Sequence, residues 1–245
     1  MRELKEKLQR FLQRNTNLSR RKAGEVIKAG RVKVDDRIVT DPWLEIDHFS
    51  KVFLDGKKVV PQKIEKVVYA LNKPVGVLTA MKDDRGRPTI TDLITGKIKE
   101  KVFHVGRLDK DTEGLLLLTN DGEFANEIAH PSSEIKKTYV AVIAGKLSIK
   151  DIKRLEEGII LQDGFKTSGA EVRVLNEMGR KTVVELKIHE GHKREVREMF
   201  RAIHKKVLAL KRTAIGGLKL DVVPKPGMIK KLGKRELSLI KNGDR

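Results

Sequence analysis

The chain has 245 residues, of which 53 are Lys or Arg and 34 are Asp or Glu, a net charge of +19. That length holds one large domain and a small one. The charge excess points to a polyanion, nucleic acid first, since a Lys- and Glu-rich thermophile surface would balance the two signs. With no cysteine, disulfides and thiolate metal sites are excluded, and a reducing, cytoplasmic setting is expected. No apolar run approaches the ~20 residues of a membrane span, and the charged N-terminus carries no apolar signal core.

The first sixty residues read as one compact unit. Leu4, Leu8, Phe11 and Leu12 follow helical spacing, and Asn17 or Ser19 can cap a second helix that ends at Gly30. Short alternating segments follow at residues 31–34, 52–54 and 57–60, the last two joined by an Asp55-Gly56 turn. Residues 1–34 hold eleven basic side chains against three acidic ones, enough to form a basic surface. Residues 61–66 read as a linker. Beyond it, strands are expected at residues 67–71, 103–108, 115–119, 138–144, 170–175, 182–189 and 207–215. Helices are expected at 149–157, 193–203 and 234–241. Strands outnumber helices without regular βαβ alternation. The expected class is therefore α+β, with a mixed, largely antiparallel sheet and flanking helices at 67–245.

The chemistry concentrates between Gly106 and Gly122. Two apolar strands flank the charged run Asp109-Lys110-Asp111-Thr112-Glu113-Gly114, and Asp109 is expected where the first strand ends. A carboxylate fixed there suits a nucleophile; an ordinary loop aspartate fits the spacing equally well. The run also resembles the start of an EF-hand, with a glycine at its sixth position. The twelfth position is Asn120 rather than a bidentate Glu, and the tail is four leucines, so calcium is set aside. No P-loop, G-x-G-x-x-G or clustered His ligand set is visible, so neither cofactor nor metal is expected.

The stretch from Gly106-Arg107-Leu108-Asp109 through Thr119-Asn120-Asp121-Gly122 resembles the signature of the pseudouridine synthases of ribosomal RNA, specifically the RsuA/RluB/RluE/RluF group. The likeness extends along the chain. It takes in Leu71-Asn72-Lys73-Pro74-Val75-Gly76, Gly86-Arg87-Pro88-Thr89, Lys137-Thr138-Tyr139, Glu190-Gly191-His192-Lys193-Arg194-Glu195-Val196-Arg197 and Ile215-Gly216-Gly217-Leu218. Residues 9–34, with Ser19-Arg20-Arg21-Lys22-Ala23, are similar to an S4 RNA-binding domain. The resemblance thus implies an S4-like α/β domain at 1–60 and a synthase domain at 67–245. It implies isomerisation of uridine to pseudouridine on a flipped-out nucleotide, without a cofactor.

Residue by residue, the family's catalytic aspartate maps onto Asp109, its arginine partner onto Arg197 and its active-site tyrosine onto Tyr139. A carboxylate in this role works ionised, a form that a nearby arginine favours; covalent attack and assisted departure of the base both remain open. Val196, Met199 or Phe200, and Ile203 form an apolar stripe, which would turn Arg197 inward while Arg194 and Arg201 face phosphate. RNA contacts are expected from Lys73, Arg107, Lys137, Lys193, Arg194 and Arg201, and in the N-terminal unit from Arg20, Arg21, Lys22, Arg31 and Lys33.

One departure stands out. The family's late motif usually runs Arg-Gln-Val-Arg-Arg-Met, and here Glu195 and Glu198 take the Gln and second Arg positions. Both acids are expected to pair with Arg194 or Arg201. The implied partner is ribosomal RNA, 16S or 23S, or a ribosome assembly intermediate, met by a monomer. Two other classes fit less of the sequence: an inactive S4-type assembly factor, and an S4-bearing methyltransferase, which would need a glycine-rich nucleotide loop.

Overall fold

The computed structural model describes residues 5–241 apart from 48, 63 and 64. The chain divides into two compact units, Met1–Glu65 and Lys66–Arg245. Of the expected features, Leu4 and part of the 61–66 linker lie outside the described residues.

In the first unit, β1 (Glu6–Lys7) leads directly into α1 (Leu8–Asn15), followed by α2 (Arg20–Lys28), β2 (Val32–Val34), β3 (Arg37–Val39), β4 (Glu45–Ile46), β5 (Val52–Leu54) and β6 (Lys57–Lys58). Residues 6 and 7 are therefore extended rather than helical, because they pair with β4. Ser19, not Asn17, caps α2, its Oγ accepting from the Lys22 N–H at 3.2 Å. Leu8, Leu12 and Ile27 are fully buried and, with Val32 and Val52, fill one core between the helices and a four-stranded sheet ordered β3-β2-β5-β6.

The second unit runs β7 (Val68–Lys73), α3 (Ile90–Ile94), β8 (Phe103–Val105), β9 (Glu113–Thr119), α4 (Gly122–Ala129), β10 (Lys137–Ala144), α5 (Ile149–Glu156), β11 (Glu171–Met178), β12 (Lys181–Ile188), α6 (Glu195–Ala202), β13 (Val207–Ile215), β14 (Leu218–Lys219), β15 (Ile229–Lys231) and α7 (Lys234–Lys241). Its sheet follows the order β11-β12-β10-β13-β9-β7-β15. Neighbours pair antiparallel except at β13 and β9, which run parallel over two residue pairs, Lys211 with Glu113 and Arg212 with Gly114. This mixed, largely antiparallel α+β architecture is the class expected from the strand pattern.

That parallel seam divides the sheet into halves with separate cores. β10, β12 and α6 bury Ala141, Val184, Leu186, Met199 and Phe200 on one side. β7 and β9 are buried on both faces, so their leucines serve two cores: Leu115 and Leu117 one, Leu116 and Leu118 the other. Two short helices were not apparent from periodicity. Each is announced by its cap: a Thr89–Asp92 capping box starts α3, and the Asp121 carboxylate accepts from the Glu123 N–H at the start of α4. Among the described residues no helix is long and apolar enough to cross a membrane.

Candidate active site

β8 ends at Val105, three residues before the expected boundary, because Gly106 turns the chain at φ +66°. Asp109 therefore sits in a loop rather than at a strand end. The loop is nevertheless pinned on both sides of it. Thr79 Oγ1 donates to the Leu108 carbonyl at 2.7 Å and accepts from the Leu108 N–H at 3.2 Å. The Gly76 N–H reaches the Lys110 carbonyl at 2.8 Å, and the Thr112 N–H closes a turn onto the Asp109 carbonyl at 3.1 Å. With Leu108 itself buried, the backbone under Asp109 has little freedom, while about a third of its side chain (32%) stays exposed.

The two aspartates of the loop are used differently. Arg194 forks onto both carboxylate oxygens of Asp111 at 3.2 Å each. Arg197 Nη2 donates to the Asp111 carbonyl at 2.8 Å and lies 3.3 Å from its carboxylate. Burial pushes the Asp111 carboxyl up, but the Arg194 hydrogen bond and the charges of Arg197 and Arg194 outweigh it and hold the group below its usual range. Asp109 has one looser neighbour, Arg194 Nη1 at 3.6 Å. The arginine that resemblance pairs with Asp109 thus reaches Asp111 instead, and Arg194 lies between the two acids.

Both arginines come from the start of α6. Val196, Met199 and Phe200 are buried on that helix, which turns Arg197 inward until its side chain is only 11% exposed. Burial lowers its pKa, and its Nε has no acceptor. Arg194 occupies the left-handed region at φ +56°, a strained conformation for a non-glycine residue.

Glu195 takes a different place from the expected one. It is 4% exposed and its Oε2 accepts from the His192 N–H at 2.8 Å, closing the first turn of α6. Burial, aided by the adjacent Glu190 carboxyl, pushes its pKa up to about 7. Glu198 does pair with Arg201, at 3.4 Å. The preceding loop is braced by His192, whose ring stacks on Phe165 at 4.3 Å and whose Nε2 lies 2.6 Å from Asp163.

Tyr139 lies on β10 opposite Arg212 of β13. It is half-buried and packs against two cores, one containing Leu108 and the other Val196 and Met199. Tyr139 thus packs where the core that holds Leu108 and the core that holds the buried face of α6 both reach.

Several expected RNA contacts need correction. Lys73 is fully buried, with Nζ donating to the Pro74 and Val77 carbonyls at 2.9 and 2.8 Å. Burial holds its pKa down to about 8, against the pull of Asp109, Asp111 and Glu113. It braces the 74–77 turn from within and, being fully buried, does not face a phosphate. Lys137 is half-buried, with Nζ committed to the His189 carbonyl at 2.6 Å and its pKa lowered by burial. Arg107, Lys193 and Arg201 are exposed; Arg194 is turned to the aspartates rather than to solvent phosphate.

In the first unit, Arg20, Arg21, Lys22, Arg31 and Lys33 are all exposed. Arg31 is held by Asp55 through two hydrogen bonds of 2.8 and 2.6 Å, and Arg21 and Lys22 share Glu25. Arg20 and Lys33 have no partner among the described residues.

The family model for RNA pseudouridylate synthase matches residues 67–202, more than half of the chain, and takes in the pinned loop, Tyr139 and the arginine helix. The chain belongs to the RNA pseudouridylate synthase family. The synthase is thus an enzyme, an isomerase that forms pseudouridine from uridine in RNA. An S4 domain model matches its residues 6–47. It is 43% identical over 217 residues to ribosomal large subunit pseudouridine synthase B of Bacillus subtilis, covering 88% of this chain and 87% of that one. It is 42% identical over 234 residues to an uncharacterised RNA pseudouridine synthase of Aquifex aeolicus, covering 95% and 92%. Among solved structures, a pseudouridylate synthase crystal structure superposes with a TM-score of 0.69 at 29% identity, covering 96% of the synthase and 99% of that chain.

Arg212, Thr79 and the structural part played by Asp111 were not singled out in the sequence. Arg212 left a signal there. It shares strand parity with Leu210 and Ala214, both buried, so it stands at an inward position of β13.

Proposed function

We propose that this synthase modifies a uridine of large-subunit ribosomal RNA, with Asp109 acting at the glycosidic bond. The observation that carries the reading is the unequal use of the two loop aspartates. Asp111 is spent on Arg194 and Arg197, whereas the Asp109 carboxylate, on a pinned loop, has only the 3.6 Å contact with Arg194 among the described residues. The likeness to the Bacillus subtilis enzyme supports the choice of ribosomal RNA and of the large subunit.

The reaction breaks the bond from ribose C1′ to uracil N1, turns the base, and joins C1′ to C5. The C5 proton leaves and N1 gains one, so no redox partner is needed. Asp109 attacks the nucleoside or assists departure of the base. Tyr139 offers a ring face and a hydroxyl to a flipped uracil. Residues 1–60 supply RNA affinity, 61–66 link the units, and 67–245 carry the chemistry. Of the five N-terminal cations expected to meet RNA, Arg20 and Lys33 have no partner among the described residues and are available for phosphate.

The test is release of tritium from ribosomal RNA labelled at uridine C5. Asp109→Asn is expected to abolish release while RNA binding persists. Full activity in that variant refutes the role of Asp109. Mapping pseudouridines in 16S and 23S RNA with and without the gene identifies the target.

A further inference from the structure

Arg212 is a buried cation at the one place where the two halves of the sheet meet. Its side chain is enclosed (4% exposed), and Nε donates to the Leu115 carbonyl at 2.7 Å. Nη1 reaches the Tyr139 hydroxyl oxygen at 3.5 Å, and Nη2 is buried without a partner. A guanidinium only donates, so enclosing one with donors unspent is costly unless the arrangement is needed for something else. The 3.5 Å contact is also at the long end for a hydrogen bond.

The surroundings indicate what that need is. Tyr139 belongs to the half made of β10, β11 and β12, whereas the Asp109 loop belongs to the half made of β7, β8 and β9. Among the described residues the sheet joins these halves through the two parallel pairs at β13 and β9. At that seam Gly114 adopts φ +113°, and any Cβ there would meet the Arg212 backbone, so the strands approach as closely as they can. Arg194 and Arg197 tie α6 to Asp111, and Arg212 adds a buried tie at the seam itself. One guanidinium holds Leu115, three residues after Thr112 closes the Asp109 loop, and the hydroxyl of Tyr139.

We propose that Arg212 is a positioning residue for the isomerisation: it fixes the Tyr139 hydroxyl relative to the Asp109 loop, so that groups from both halves of the sheet meet one uracil. The inference rests on the reading of Asp109 and Tyr139 given above. Lys cannot replace the fork, because an ammonium cannot hold two acceptors in fixed planar directions.

The experiment is single-turnover tritium release from 5-tritiated ribosomal RNA, with RNA affinity and thermal unfolding measured on each variant. Arg212→Lys is expected to slow release about tenfold or more, with the RNA Kd within about twofold of wild type. In a Tyr139→Phe background the same substitution is expected to cost less than about twofold, because the hydroxyl it would misplace is already gone. If the Lys variant melts far below wild type, Arg212→Gln, which keeps a donor for Leu115, carries the comparison.

A wild-type rate in these variants overturns the proposal. So does a loss that repeats in full without the tyrosine hydroxyl, since Arg212 would then act through the fold. Tyr139→Phe at the wild-type rate also overturns it. Activity in Asp109→Asn instead overturns only the assignment of the nucleophile.

Discussion

Replacing Glu195 by Gln should stabilise this protein in a way that depends on pH. The side chain is 4% exposed, accepts the His192 N–H, and has its pKa raised from 4.5 to about 7, first by burial and then by the Glu190 carboxyl beside it. Because the folded state holds the proton more tightly than the unfolded chain, stability is greatest below pH 4.5. It falls as pH rises through 7, and above that the full cost of a buried carboxylate applies. A shift from 4.5 to about 7 corresponds to about 3 kcal/mol, at about 1.4 kcal/mol per unit. Gln keeps the acceptor for His192 and supplies a permanent donor toward Glu190, whose Oε2 is buried without a partner. The gain from Glu195→Gln at pH 8 should therefore exceed its gain at pH 5 by roughly 2–3 kcal/mol. Urea unfolding of both proteins at the two pH values measures this. A difference that does not change with pH would refute the argument. In this light the departure from the family motif is small: a protonated Glu offers the same donor and acceptor as the Gln it replaces.

Lys73→Met should leave RNA affinity within about twofold, checked by filter binding, because Nζ faces two backbone carbonyls and not solvent. Its stability deficit should grow as pH rises from 8 toward 10.5. Over that range wild-type Lys73, with its pKa held down to about 8, sheds a buried charge, and the neutral amine still donates to both carbonyls. Gly114→Ala forces a Cβ onto the Arg212 backbone at φ +113° and should cost about 3 kcal/mol or more in unfolding free energy. Arg20→Ala and Lys33→Ala should each lower the salt slope of RNA binding by about one, and Arg31→Ala by less because Asp55 already holds that guanidinium.

The sequence carried the longer elements well, for periodicity reports burial directly. The apolar stripe of α6 turned Arg197 inward as expected, and β13 and α7 occupy residues 207–215 and 234–241 as read. Short helices and loop ends were less legible. α3 and α4 depend on side-chain caps at Thr89 and Asp121 rather than on a repeating pattern, and Gly106 cuts β8 short through its backbone conformation. Charge was the weakest guide at the site. Lys73 reads as a phosphate contact because lysines are usually exposed, yet it ends a strand whose six residues are all buried. The ion pairs among Asp111, Arg194 and Arg197 join positions more than eighty residues apart, and no local pattern encodes them.

The two-pair seam between β13 and β9 also bears on how the enzyme is made. Its partners lie about a hundred positions apart along the chain, with 97 residues from Leu115 to Arg212. Much of each flanking half can form from contacts closer in sequence, such as the β11–β12 and β12–β10 pairings on one side and β8–β9 on the other. Closing a loop of that length for two residue pairs is slow, so we expect the seam to zip late during refolding. Catalytic competence should then lag behind the recovery of backbone circular dichroism, and a trapped intermediate would carry well-formed sheets but no turnover. Activity that returned ahead of the dichroism signal would contradict this order. For an enzyme translated from its N-terminus, the S4 unit would be finished well before the chain could alter any base.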